Sequence, residues 1–245
     1  MKISIITPTF NCDKTVVNTI NSFLEQTYSQ KEHIVIDGGS TDRTYELLKK
    51  FNHYAFLESK LDKGIFNAFN KGVKKCSGDI IGFLHADDIF YSRDTLESIA
   101  DYFLDNPNLD ALYGDVVFVN SSGHIRRYYD SSKFKFNNFS KGDMPAHTSF
   151  FARRKVYDQF KFDESYKVSG DFKHLLEVFK SERFNIEYRK ILTTQMLLGG
   201  NSNQNLRTTF KLNSEIIRAC REVGVPTNYL KVYSKYFSKL KQLRA

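Results

Sequence analysis

A chain of 245 residues, 41% of them apolar and 15% aromatic with only 4 prolines, can bury a sizeable core. This excludes a disordered or fibrous protein and fits one α/β domain with a terminal appendage. Of the net charge of +8, the stretch from Asn203 to the end carries +7, because nine Lys or Arg there face only Glu215 and Glu222; a polyanionic partner is excluded everywhere but the tail.

In chain order, Lys2 to Phe10 alternates and ends in Thr7-Pro8-Thr9, which predicts a strand running into a loop. Val16, Ile20, Phe23 and Leu24 then recur at helical spacing within Thr15–Gln26. His33–Asp37 is a short strand of buried type, and Gly38-Gly39-Ser40-Thr41-Asp42 supplies turn and N-cap for a helix over Tyr45–Phe51. A strand over Tyr54–Glu58, a helix over Ile65–Lys75 and a strand over Asp79–Leu84, ending at His85-Ala86-Asp87-Asp88, complete three strand-helix units. Such units predict a mostly parallel, doubly wound α/β sheet that binds ligands beyond the carboxyl ends of its strands. After a helix over Asp94–Leu104 the pattern changes. Ala111–Val119 and His124–Tyr129 flank a hairpin-like turn at Ser121-Ser122-Gly123. A helix over Asp171–Lys180, a strand over Tyr188–Leu197 and two terminal helices, Thr208–Val223 and Asn228–Leu243, make a mixed second half with a helical tail.

No apolar run approaches the roughly 18 residues a membrane-spanning helix needs, and no secretory leader opens the chain, so the expected location is cytoplasmic. Cys12, Cys76 and Cys220 are odd in number and widely spaced, the pattern of ordinary thiols and not of a disulfide framework or zinc site.

Three acidic positions fall at strand ends or loop ends: Asp37, the pair Asp87-Asp88, and Asp171 after Val168-Ser169-Gly170. Adjacent carboxylates at the end of a buried strand repel unless a cation compensates, so Asp87-Asp88 is a candidate metal and nucleotide site. Capping of the helix that follows near Ser92 explains the same pair, and spacing does not decide between them. A dinucleotide-binding site is disfavoured, because Thr7-Pro8-Thr9-Phe10-Asn11 has no glycine where a pyrophosphate must approach the backbone. A nucleotidyltransferase, whose corresponding loop is glycine-rich and basic, is disfavoured for the same reason.

The chain resembles the family 2 glycosyltransferases of bacterial envelope polysaccharide synthesis. The likeness runs through Ile3–Asn11, Phe23–Tyr28, Ile36–Asp42, Asp62–Gly72 and Gly78–Asp88, in that order, and continues more weakly through Met144–Phe151, Phe162–Tyr166 and Ser169–Phe172. It covers roughly residues 1–200 and implies a GT-A fold, with 1–110 as nucleotide-binding half, 111–202 as acceptor-binding half and 203–245 as a basic helical extension. By the resemblance, Thr7, Pro8, Thr9 and Asp37 face the uracil and ribose of a nucleotide-sugar donor, with Asp62, Lys63 and Gly64 closing over the same end. Gly38 stands where the family more often has a second aspartate. Asp88 would hold Mn²⁺ or Mg²⁺ against the diphosphate and Asp87 the ribose or donor sugar, while Asp171 matches the general base of an inverting transfer. His147 falls in the region facing the acceptor sugar, although a lone histidine is more often structural. His85, where many relatives have Asn, is left open between packing and site. Lys63, Arg153 and Arg154 reach phosphate or are solvated charge.

Gln204-Asn205-Leu206-Arg207 lacks the tryptophan of the processive synthases' signature, which implies one sugar added per acceptor visit. In the last predicted helix Tyr229, Tyr233, Tyr236, Leu240 and Leu243 share one face and Lys231, Lys235 and Lys239 the other. Such a helix lies on the inner face of an anionic membrane near a lipid-linked glycan acceptor, or packs on its own domain or a second subunit in a homodimer. Nucleic acid is not expected, since no binding module is present. The expected activity is therefore transfer of one sugar from a nucleotide donor, a UDP-sugar by preference. The alternatives are a GT-A-like nucleotidyltransferase and a catalytically silent nucleotide-sugar-binding partner.

Overall fold

The computed structural model describes residues 1–198 and 206–234. Gln204 and Asn205, and the predicted terminal helix beyond residue 234, lie outside the described residues; 229–234 are helical. Four strands, β1 (Ile3–Thr9), β2 (Lys31–Asp37), β3 (Phe56–Ser59) and β4 (Ile80–Phe83), pair in parallel in the order β3-β2-β1-β4. Helices α1 (Val16–Leu24), α2 (Thr44–Leu48) and α3 (Ile65–Lys75) connect them, as the strand-helix spacing predicts. Beyond β4 the sheet continues through β8 (Phe150–Arg153), β6 (Ala111–Val119), β9 (Ile186–Leu197) and β5 (Ile89–Phe90), with β7 (Ile125–Tyr129) hairpinned onto β6. Here pairings are mixed: β6 and β9 are parallel, whereas β8 is antiparallel to both β4 and β6.

The alternation of β1 sorts its side chains onto two faces, as a pleated strand must. Ile6 joins Phe66 and Phe69 of α3, Phe83, and Phe172, Leu175 and Leu176 of α6 (Gly170–Lys180). Ile3 and Ile5 pack instead with Phe23 of α1 and with Leu96, Ile99 and Phe103 of α4 (Thr95–Asp105). Each aromatic ring buried in these layers contributes about 2–3 kcal/mol. The last described long helix, α7 (Leu206–Val223), places Ile216, Ala219 and Cys220 in the same cluster as Phe172, so the beginning of the expected extension is built into the core.

Two strands and one helix escape periodicity. Strand β5 is two residues long and exists because Ile89 and Phe90 pair with Gln195 and Thr194 of β9. Strand β8, of four residues, and the six-residue α5 (Arg154–Gln159) are also short, and β8 is a strand only by lying between β4 and β6. Among the described residues no helix is long and apolar enough to cross a membrane. All three cysteines are free, with burial pushing the thiols of Cys12 and Cys220 up to about 11.

Candidate active site

Register brings the first acidic position into its setting. Thr9 of β1 pairs with Asp37 of β2, and Asp37 with Ser59 of β3, so three polar side chains stand abreast at the carboxyl ends of the parallel strands. The fully buried Asp37 carboxylate accepts hydrogen bonds from Thr9 Oγ1 (2.9 Å), Ser59 Oγ (2.6 Å), Ser40 Oγ (2.5 Å) and the Ser40 amide (3.0 Å). Thr7 is likewise buried, its hydroxyl 2.9 Å from His33 Nε2, while Pro8 is buried between them. Asp62 is partly exposed, accepts from the Gly64 amide at 2.8 Å, and leans over Gly38: a Cβ there would lie 2.8 Å from Asp62 Oδ2. The glycine at 38 is the space that Asp62 fills. Lys63 and Gly64 are exposed beside it.

The second acidic position follows directly from β4. Because Phe83 pairs with Ile6, the segment His85–Asp88 leaves the sheet at the level of Thr7 and Pro8. It turns sharply, with the Asp88 amide donating to His85 O (3.1 Å), and Thr19 Oγ1 of α1 donates to Asp88 O (2.8 Å). Strand β5 then intervenes before α4 begins at Thr95, so neither Asp87 nor Asp88 caps that helix. Asp88 is only 2% exposed, and among the described residues its Oδ2 has no hydrogen-bond partner. Burial, then Asp87, raises its carboxyl well above the ordinary value. One ligand atom each from His85, Asp87 and Asp88 lie within 4.8 Å of one another. A buried carboxylate oxygen without a partner beside a second carboxylate and an imidazole fits a divalent cation, which would repay the desolvation that a backbone hydrogen bond from Leu197 offsets only in part. His85 Nε2 is also buried without a partner, and burial holds the ring neutral, the form that ligates metals.

The third position is tied to the second through α3. Gly170 opens α6 against Phe66, where a Cβ would lie 2.7 Å from the ring. Phe66 packs edge-on to Phe69, and Phe69 lies 5.8 Å from His85. Packed rings therefore link Gly170, the neighbour of Asp171, to His85. Asp171 accepts from the Phe172 amide (2.8 Å) and remains partly exposed. Burial pushes its carboxyl up to about 6 against the two local amides, with Glu215 adding to the rise.

His147 is 4% exposed, stacked on Phe69 and packed against Phe83, 5.9 Å from His85. Its ring thus belongs to the aromatic cluster that packs beside His85. Arg153 donates to the carbonyls of Leu109 and Pro107, and Arg154 to those of Cys76 and Gly78, near the amino end of β4. Both are structural, away from the ligand end of the sheet. Sequence reasoning missed Ser40 and Ser59, whose hydroxyls hold Asp37, and Glu215 of α7, whose carboxylate accepts from three consecutive amides before Asp171. Ser40 was read only as part of the turn after Asp37, three residues away, and no local pattern marks Ser59 or Glu215, whose partners are 22 and up to 48 residues away in the chain.

Residues 4–161 match the family model for Glycosyl transferase family 2. Over 206 residues the chain is 27% identical to the PGL/p-HBAD biosynthesis glycosyltransferase of Mycobacterium tuberculosis, covering 82% of this chain and 78% of that protein. It is 31% identical over 141 residues to the UDP-Glc:alpha-D-GlcNAc-diphosphoundecaprenol beta-1,3-glucosyltransferase WfgD of Escherichia coli, covering 57% and 55%. Among solved structures, S. aureus TarS 1–349 in complex with UDP superposes with a TM-score of 0.67 at 18% identity, covering 89% of this chain and 65% of that one. The last likeness shows the fold, GT-A, as the strand-helix order and the motifs led one to expect.

Proposed function

The chain belongs to glycosyl transferase family 2, and we propose on that premise that it transfers a single sugar from a UDP-sugar to a sugar acceptor of the cell envelope, with inversion and with the help of a divalent cation. The observation that carries this is the buried Asp88 carboxylate, one oxygen of which has no partner among the described residues, grouped with His85 and Asp87 at the ligand end of the parallel sheet. UDP is favoured by the likeness to a UDP-Glc-dependent enzyme.

Asp88, Asp87 and His85 would hold Mn²⁺ or Mg²⁺; the bound ion would supply positive charge to the departing diphosphate. Thr7, Pro8, Thr9 and Asp37 line the end where base and ribose would sit, and Asp62, Lys63 and Gly64 flank it. The Asp37 carboxylate, fully buried and saturated by three hydroxyls and an amide, fixes the carboxyl ends of β1, β2 and β3 at this place. Asp171 takes the proton of an acceptor hydroxyl as that oxygen bonds to the anomeric carbon and the bond to the diphosphate breaks. One displacement inverts the configuration. A carboxyl pushed up to about 6 is ionised at neutral pH yet basic enough to accept a proton, so activity rises through about pH 6.

A membrane-proximal acceptor is supported by one cavity. Lys135, Lys141, Lys180 and Lys231 line a space of about 620 Å³ with no acidic residue on its walls among the described residues, and exposed Tyr229 and Leu230 flank Lys231. A cationic rim with apolar neighbours suits an anionic lipid surface.

The test is titration calorimetry of UDP and of GDP, each with and without Mn²⁺. Tight, metal-dependent binding of UDP alone is expected. Preference for GDP would replace the donor, release of pyrophosphate from a nucleoside triphosphate would mark a nucleotidyltransferase, and nucleotide binding with no sugar released would mark a silent partner.

A further inference from the structure

Helix α7 lies outside the 4–161 match, yet it grips the segment that leads into Asp171. Glu215 is 8% exposed, and its carboxylate accepts from the amides of Lys167 (3.0 Å), Val168 (2.9 Å) and Ser169 (2.8 Å). One turn earlier, Leu212 O accepts from Ser169 Oγ (3.2 Å). One turn later, Arg218 donates to Ser165 Oγ (2.9 Å) and lies 4.4 Å over the Tyr166 ring, whose hydroxyl donates to Glu222 (2.9 Å). Residues 167–169 precede α6 and belong to no strand, so no ladder satisfies their three N–H groups; a single carboxylate does. Lys167 also donates from Nζ to Lys63 O (3.1 Å), which joins this loop to the donor-side loop.

We infer that Glu215 is a positioning residue for the active site: from a helix beyond the catalytic half of the chain, it holds loop 167–169 so that Asp171 stands at one place relative to the donor loop. The inference rests on the proposed role of Asp171 as base. Glu215 acts a second time through its charge. Burial is the main cause of the raised Asp171 carboxyl, and Glu215 is the charged side chain that adds to it; Lys173 on α6 is occupied by Asp163, Glu177 and Glu222. Loss of the Glu215 charge therefore lowers the pH at which Asp171 ionises. A helix that merely braced the fold would not move that titration.

The experiment is a carboxyl-carbon NMR titration of the full chain, with the Asp171 signal identified by its absence in Asp171→Asn. In wild type the signal is expected to titrate near 6. In Glu215→Gln it is expected to titrate lower, with hydrogen exchange at the Lys167, Val168 and Ser169 amides accelerated about tenfold. UDP release from UDP-glucose with Mn²⁺, water serving as acceptor, is expected to fall about tenfold while UDP affinity stays within about twofold, the signature of a misplaced base. Glu215→Asp keeps the charge on a shorter arm and is expected to lie between, with the Asp171 titration near that of wild type. An unchanged Asp171 titration together with unchanged amide exchange in Glu215→Gln overturns the inference. If the titration and exchange change as expected but Asp171→Asn releases UDP as fast as wild type, the base role falls and the placement of the loop by Glu215 stands.

Discussion

Replacing Asp88 with asparagine removes one charge and little volume, and it is expected to make the metal-free protein more stable and the enzyme inert. The carboxyl is 2% exposed, one oxygen has no partner, and burial followed by Asp87 raises its pKa well above 3.8. A carboxyl whose folded pKa is raised costs nothing below about pH 4, where it is protonated in both states; the cost grows as pH rises and is complete once the folded value is passed. Leaving a buried charged acceptor unpaired costs about 2 kcal/mol. For a chain of this length each kcal/mol moves Tm by about 2–4 °C, so Asp88→Asn should melt about 4–8 °C above wild type at pH 8 and converge with it near pH 4. The order reverses with ligand. Mn²⁺ and UDP at a hundredfold excess over Kd stabilise wild type by about 2.7 kcal/mol and leave the variant unmoved. Calorimetric melting of both proteins across pH 4–8, with and without Mn²⁺ and UDP, decides the matter. Parallel pH curves, or an equal ligand shift in the variant, would refute the assignment of Asp88 as a buried charge awaiting a cation.

Asp171→Asn should bind UDP and Mn²⁺ as wild type does while losing roughly 10²–10⁴-fold in turnover, because only the acceptor proton depends on it; equal loss of UDP affinity in both aspartate variants would end that division of roles. Glu32 lies far from this chemistry and tests the ion pairing of the fold. Although burial pushes its carboxyl up, Lys2, Ser4 and Ser77 hold it down to about 2. Its contribution is present above about pH 4.5 and lost as pH falls toward 2, so Glu32→Gln should cost on the order of 2 kcal/mol at pH 7, after discounting for the exposed Lys2, and nearly nothing at pH 2. At the lysine-lined cavity, Lys135→Glu with Lys141→Glu should weaken sedimentation with phosphatidylglycerol vesicles by at least roughly fivefold per residue; unchanged binding would remove the membrane from the proposal.

The first half of this protein was legible because its order is local. Helix α3 was read at Ile65–Lys75 and strand β6 at Ala111–Val119, and both lie there, since an amphipathic period of 3.6 or a stretch rich in β-branched and aromatic residues carries its own signal. The carboxylates at strand ends were legible for the same reason: a polar pair that closes a buried strand stands out against its neighbours. Strand β8 was not, because four residues become a strand only when β4 and β6 lie on either side. His147 could be named but not placed; its position under Phe69 and Phe83 follows from how three elements meet. The sequence by itself determined the parallel half, the acidic positions and the basic tail, whose causes lie within a few residues of each. Tertiary structure alone decided that Asp88 keeps an unpaired oxygen, that Asp62 occupies the space above Gly38, and that Glu215, 44 residues after Asp171, holds the loop that feeds it. Those facts depend on contacts between distant segments, and periodicity carries no trace of a partner that only the folded chain brings near.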